Sequence, residues 1–426
     1  MTVTIDDIIA RINKDELIAL ALHVCNLDSS GTNEAPVARY VGDWLRGEGF
    51  KVRNVGLLAD RFNVLARLPG TGGGYSLILN SHMDTSVRYT DIWSTTNPEA
   101  DIHHKAWLEG DELVGEGIVN DKGPMTAFMI AAKAIKVAGI ELKGDLLLSA
   151  VVAETSHEPS DDPPGTIIET KDLGARFLVT HGGVADYALI AEGTGFSIVT
   201  MEAGMAWYKL TWESTQPGYY TPYLPDRTTV SESPNMIVRA AAATVALEEW
   251  AASYQKKYTR QFSDGLFVPK AQIGAIRGGV STGLSSTPQI CSVYLGAFIA
   301  PGHDPLDLRR EIEDAVRTAG VPASDVELYL FHPGYEAKNA ERLVESVRRA
   351  HQKTFVTDPP PPNPATLSMW RDINIFNEVG IPAITYGPRS ERHSHKRSLK
   401  IESLYQAACV YARIMVDICN QEKCPK

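Results

Sequence analysis

Apolar residues recur on a helical period at the start of the chain. Ile8, Ile9, Ile12, Leu17, Ile18 and Leu22 predict one amphipathic helix over 5–25, and 33–48 reads as a second. Strands are expected over 51–58 and 63–68, followed by a glycine cluster at 70–74 that reads as a hairpin turn. A strand, not a helix, comes next, so this cluster is no phosphate loop. That strand is a short apolar run that stops at His82, with Asp84 two positions on. Residues two apart in a strand share a face, so the two side chains are expected to project together. A helix is expected over about 125–138, with Pro124 in its first turn and Asp121 just outside its start. The apolar run 145–153 ends at Glu154, and the shorter run 187–191 ends at Glu192. Strands alternating with helices predict a mostly parallel sheet, and in such sheets chemistry gathers at the carboxyl ends of the strands.

The rhythm changes between 204 and 333. Strand, long Ala-rich helix, two strands, helix and strand follow one another, the β-α-β-β-α-β order of a ferredoxin-like unit. The expected organisation is an α/β catalytic domain in two parts, 1–203 and 334–426, interrupted by an inserted α+β domain at 204–333. The Pro-rich run from Asp358 reads as a stiff loop, and 403–420 as a closing helix.

Composition narrows the function classes. The chain has 426 residues, 44% hydrophobic and 22% charged, as expected for a globular protein. A net charge of −11 and the lack of a long basic run argue against nucleic-acid binding. Five scattered cysteines with no Cys-x-x-Cys pair argue against a disulfide framework and fit a reducing cytoplasm. The acidic start does not read as a signal peptide, and no run approaches the roughly 18 apolar residues of a membrane span.

The candidate chemistry is a set: His82, Asp84, Asp121, Glu154, Glu192 and, far downstream, His393. One histidine with carboxylates suits Zn²⁺, Mn²⁺ or Co²⁺ better than a thiol-loving ion. A base beside an ion-activated water would sit well at a strand end, where Glu154 falls.

The strings Asn80-Ser-His-Met-Asp-Thr, Gly117-Ile-Val-Asn-Asp-Lys-Gly, Val152-Ala-Glu, Ile190-Ala-Glu-Gly-Thr-Gly and Gly387-Pro-Arg-Ser-Glu-Arg-His carry a resemblance. Their order resembles the acetylornithine deacetylase, aminoacylase and carboxypeptidase G family of metallopeptidases, over nearly the whole chain. The resemblance implies that His82 and Glu192 bind a first metal ion and that Asp84 orients His82. It implies that Asp121 bridges two ions, Glu154 is the general base and His393 serves the second ion. It further implies a homodimer formed through the inserted lid domain.

The departures from the family are informative. Relatives carry two consecutive Glu residues where this chain has Glu154-Thr155, so the second ion loses a carboxylate ligand. Two remaining ligands hold a metal poorly, and one Mn²⁺ or Zn²⁺ per chain is expected. His157 or Glu158 could supply a replacement, but their Pro-rich surroundings read as exposed chain. Tyr220 stands where relatives carry a lid His that stabilises the oxyanion of amide hydrolysis, and Phe298 where they often carry a carboxylate-binding Arg. Together with Tyr219, Tyr223, Trp370 and Tyr386 these aromatics favour a flat substrate, with Arg371 and Arg389 as carboxylate clamps.

The expected activity is metal-dependent hydrolysis of a C–N bond in a small carboxylated, aromatic molecule. One version is hydrolytic deamination of an aromatic amine such as 5-nitroanthranilate, as an enzyme of this family type performs. The alternatives are an N-acyl amino acid deacylase or dipeptidase, and a ligand-binding relative without catalysis.

Overall fold

The computed structural model describes residues 4–85, 105–155, 171–227, 229–392 and 397–423. They form two compact units, one of residues 1–200, 337–362 and 371–426, the other of 201–336 with 363–370. The second unit therefore takes Asn363–Trp370, a stretch that the sequence pattern places with the closing part of the chain.

The first unit is built on a six-stranded sheet. Its spatial order is Lys51–Val55, Asn63–Leu68, Leu146–Val151, Leu77–His82, Tyr187–Ile190 and Ala383–Thr385. The first two pairings are antiparallel and the other three parallel. Leu77–His82 and Leu146–Val151 are buried along their whole length, which is why they read as unbroken apolar runs. The Leu146–Val151 strand lies between Asn63–Leu68 and Leu77–His82, so the glycines at 70–74 are not a hairpin turn. They lead the chain past residues 142–144 instead, with Thr71 N–H donating to Leu142 O and Gly72 N–H to Lys143 O.

The helices Lys122–Val137, Ile401–Asn420, Lys14–Cys25 and Glu341–Phe355 contribute buried side chains to one apolar core with this sheet. The expected helix over 5–25 is two helices, Ile5–Ile9 and Lys14–Cys25. Asn13 caps the second by accepting from Glu16 N–H, a local signal strong enough to interrupt the apolar period.

The second unit has a four-stranded antiparallel sheet in the order Ala271–Gly278, Ile290–Ile299, Gly204–Glu213, Asp325–His332. The helices Met236–Tyr258 and Pro305–Thr318 share its apolar core, giving the ferredoxin-like arrangement that the element order predicts. Three buried polar tips there are paired: Tyr208 Oη donates to Pro305 O, Tyr254 Oη to Phe298 O, and Trp212 Nε1 to Val321 O. Among the described residues no helix is long and apolar enough to cross a membrane.

Candidate metal centre

His82 is the last residue of the central Leu77–His82 strand and is almost fully buried. Its Nδ1 lies 2.9 Å from the Asp84 carbonyl oxygen, which can only accept. Nδ1 therefore carries a hydrogen, and Nε2 is the atom left to bind an ion. That Nε2 is 3.4 Å from Asp121 Oδ2 and 3.7 Å from Glu154 Oε2.

Asp121 occupies the N-cap position of Lys122–Val137 but does not cap it. An Asp at an N-cap normally accepts from the first free N–H groups of the helix. Here the carboxylate is turned towards His82, and neither oxygen has a hydrogen-bond partner among the described residues; nor does His82 Nε2. Leaving buried polar atoms unpaired costs about 1–3 kcal/mol each, more when charged, unless a ligand takes them. His82, Asp121 and Glu192 each offer one ligand atom, and these lie within 4.8 Å of one another. The trio fits a divalent ion by donor type and burial, and His82 Nε2 and the Asp121 oxygens also lack hydrogen-bond partners among the described residues.

Glu154 follows the Leu146–Val151 strand after Ala153, whose φ of 61° turns the backbone sharply at that point. The sequence pattern assigns Asp84 to orienting His82, and its carboxylate is 3.5 Å from Nδ1. The carboxylate also does something else. Its Oδ1 accepts from Glu154 N–H at 3.1 Å and its Oδ2 from Thr155 N–H at 2.8 Å, fixing the turn that carries the candidate base.

The electrostatics are those of crowded, desolvated acids. Burial pushes Asp121 up to about 7, reinforced by Glu154 and Asp372 and opposed by His82 and Arg371. Burial and Asp121 raise Glu192 well above the carboxylate range, against the pull of Arg371. Burial alone would lower His82, but Asp121, Asp84 and Glu154 hold it well above its usual value. Asp84 goes the other way: burial raises it, yet its hydrogen bond and charge contact with His82 outweigh this and keep it low. A bound cation inverts this balance by favouring the ionised acids and the neutral ring.

Asp372 and Lys171, which have no place in the sequence pattern, belong to this neighbourhood together with Asn80 and Ser149. Asp372 is buried, accepts from Asn80 Nδ2 at 2.8 Å, and is pushed up to about 7 by burial and by Glu154. Asn80 in turn accepts from Ser149 Oγ at 2.7 Å. Lys171 Nζ stands 3.8 Å from Glu154 Oε1 with its side chain 9% exposed. The polar Asn80 and Ser149 inside otherwise apolar strands were the one local sign of such a network.

The remaining expectations fare unevenly. His393, His157 and Glu158 lie outside the described residues. Arg371, expected as a substrate clamp, has its Nε 2.6 Å from Glu192 Oε2 and so serves a protein carboxylate. Arg389 is exposed, its backbone N–H donating to Ser403 Oγ. Tyr386 is a core residue: it is fully buried, and its Oη is 2.8 Å from His351 Nδ1. In the second unit Tyr220 and Tyr223 are exposed, Phe298 is half-buried in Ile290–Ile299, and Trp370 packs its ring against His332.

Comparison with known proteins identifies a family. Over 192 residues the chain is 28% identical to the N-formyl-4-amino-5-aminomethyl-2-methylpyrimidine deformylase of Bacillus subtilis, 44% of this chain and 40% of that one. The chain thus matches about two fifths of the length of that relative, and 41% of a second deformylase. A [LysW]-lysine/[LysW]-ornithine hydrolase of Saccharolobus islandicus is 22% identical over 83% of this chain and 86% of its own. Among solved structures the di-peptidase Dug1p of Saccharomyces cerevisiae superposes with a TM-score of 0.71 at 12% identity, covering 99% of this chain and 100% of its own. A dinuclear metal-binding peptidase of the M20 family from Bacillus subtilis gives 0.61 at 13%, covering 95% and 98%. Residues 78–417 match the model of peptidase family M20/M25/M40. The chain belongs to that family, whose members are hydrolases acting on C–N bonds.

Proposed function

We propose that the protein hydrolyses a C–N bond in a small carboxylated, aromatic substrate, using one divalent ion held by His82, Asp121 and Glu192. The observation that carries this reading is the set of unpartnered buried atoms, His82 Nε2 and both Asp121 oxygens, with Glu154 beside them. An ion there would supply Lewis acidity, lowering the pKa of a bound water towards roughly 7. Glu154 takes a proton from the attacking water and returns it to the nitrogen as the C–N bond breaks. Asp84 keeps the turn of Glu154 in place through two backbone N–H groups. Thr155, where relatives carry a second Glu, supports a count of one ion, Mn²⁺ or Zn²⁺.

The finer reading is removal of an amine from an aromatic ring, as 5-nitroanthranilate would undergo. Charge then spreads into the ring, so an oxyanion-stabilising His is less needed. Tyr220 and Phe298 in place of charged lid residues support this, with Arg389 left as the carboxylate clamp. The partial similarity to a deformylase of a pyrimidine supports a flat ring beside the scissile bond. The second reading, N-acyl amino acid deacylation or dipeptide cleavage, draws on the peptidase fold. In either case we take residues 204–333 as the pairing surface of a homodimer.

The deciding experiment incubates Mn²⁺-loaded protein with 5-nitroanthranilate and, separately, with N-acyl amino acids and dipeptides. Ammonia release from the aromatic amine is the expected result. Deacylation or dipeptide cleavage without ammonia release would remove the deaminase reading and keep the hydrolase.

A further inference from the structure

The immediate surroundings of His82 hold five buried carboxylates: Asp84, Asp121, Glu154, Glu192 and Asp372. Three cations face them among the described residues, one being the buried Lys122, whose charge falls on Asp84. Arg371 is clasped to Glu192, and its charge also falls on Asp121. Lys171 stands over Glu154, and its charge also falls on Asp84 and Asp372. Together the two cover every acid of the cluster. With all five acids ionised and His82 neutral, as a bound cation favours, these three cations leave two negative charges, and one divalent ion cancels them. A second divalent ion would make the pocket cationic and would sit in the field of a guanidinium and an ammonium that cannot leave.

We propose that Arg371 and Lys171 are fixed stand-ins for the charge of a second metal ion, so that electrostatic exclusion, and not only the missing Glu at position 155, holds the site to one ion. This rests on the one-ion reading above and explains how a cluster of five acids stays compact with a single ion. It assigns Arg371 and Lys171 as positioning residues, acting through Glu192 and Glu154. It also makes a claim that a purely structural role would not: removing a cation improves metal binding. A neutral replacement that merely damaged the pocket would weaken it.

The test is Mn²⁺ titration calorimetry with elemental analysis of the dialysed full-length chain at pH 8. Two ions in the wild type would sink the one-ion reading itself. With one ion in the wild type, Arg371→Met is expected to bind it about tenfold tighter or more, and Arg371→Lys within about threefold of wild type. Equal or weaker binding by Arg371→Met would overturn the inference and leave the single-ion count standing. If thermal melts show that Arg371→Met does not fold, Lys171→Met against Lys171→Arg reads the same contrast with the same two outcomes. A second measurement is independent of these. Thr155→Glu alone is expected to stay at one ion, and Thr155→Glu combined with Lys171→Met to take up two. A second ion in Thr155→Glu alone would show that ligand loss is the whole explanation.

Discussion

Two sets of buried polar groups, one in each unit, are held on opposite terms. In the four-stranded unit, Tyr208, Tyr254 and Trp212 reach into the core and each meets a backbone carbonyl. In the six-stranded unit, His82 Nε2 and the Asp121 carboxylate are as deeply buried and meet no hydrogen-bond partner among the described residues. Satisfied burial of this kind stabilises a fold. Unsatisfied burial costs stability and persists where something outside the chain completes it. Trp250 Nε1 and His303 Nδ1 in the four-stranded unit also lack hydrogen-bond partners among the described residues, but the His82 set alone gathers ligand atoms within 4.8 Å of one another among those residues.

The sharpest way to break that contrast is Glu154→Gln. If the pocket is catalytic, turnover falls by about 10²–10⁴-fold while the metal content measured by elemental analysis stays at the wild-type value. Unchanged turnover would favour a binding protein. Next in size is Asp121→Asn, which removes a charged ligand. Metal affinity should fall by about 100-fold or more in a titration, while the metal-free variant should melt higher than the metal-free wild type above pH 7, because one of the crowded buried acids no longer has to ionise. A lower melting temperature for the metal-free variant would show that Asp121 is structurally satisfied.

The third test is pH. Asp121 and Asp372 are raised to about 7 and Glu192 is raised well above its usual value, so the folded metal-free chain holds protons that the unfolded chain has lost. Their contribution to stability is full below the ordinary carboxylate range and is lost as pH rises through about 7. An ion displaces those protons, so the gain in Tm on adding Mn²⁺ should be larger at pH 8 than at pH 6. Equal gains would mean that these acids are already ionised without metal. The smallest effect belongs to the other unit. Tyr208→Phe should cost about 1 kcal/mol in denaturant melts by orphaning one partner of a hydrogen bond, with no change in metal affinity.

What could be read from the chain follows from distance along it. His82, Glu154 and Glu192 each close an apolar run, and Asp121 precedes a helix, so their positions were legible from local pattern. Asp372 is 292 residues from the Asn80 that holds it and sits among residues with no telling period. Lys171 and Arg371 likewise acquire meaning only from the acids folding brings to them. The glycines at 70–74 look like a hairpin because adjacent strands usually pair, and only the long-range insertion of Leu146–Val151 shows otherwise. Tyr386 reads as a cleft residue because its neighbours in sequence border the site, whereas its ring fills the core beside Phe196.

The two N–H groups that Asp84 receives have a consequence for how such a protein diversifies. The turn after the Leu146–Val151 strand is held through the backbone of Glu154 and Thr155, so its shape makes no demand on the side chain at position 155. A lineage can therefore exchange that side chain without rebuilding the turn that aims the base. Ion count would then follow from paired exchanges, at position 155 and at a cation such as Lys171, on an otherwise unaltered scaffold.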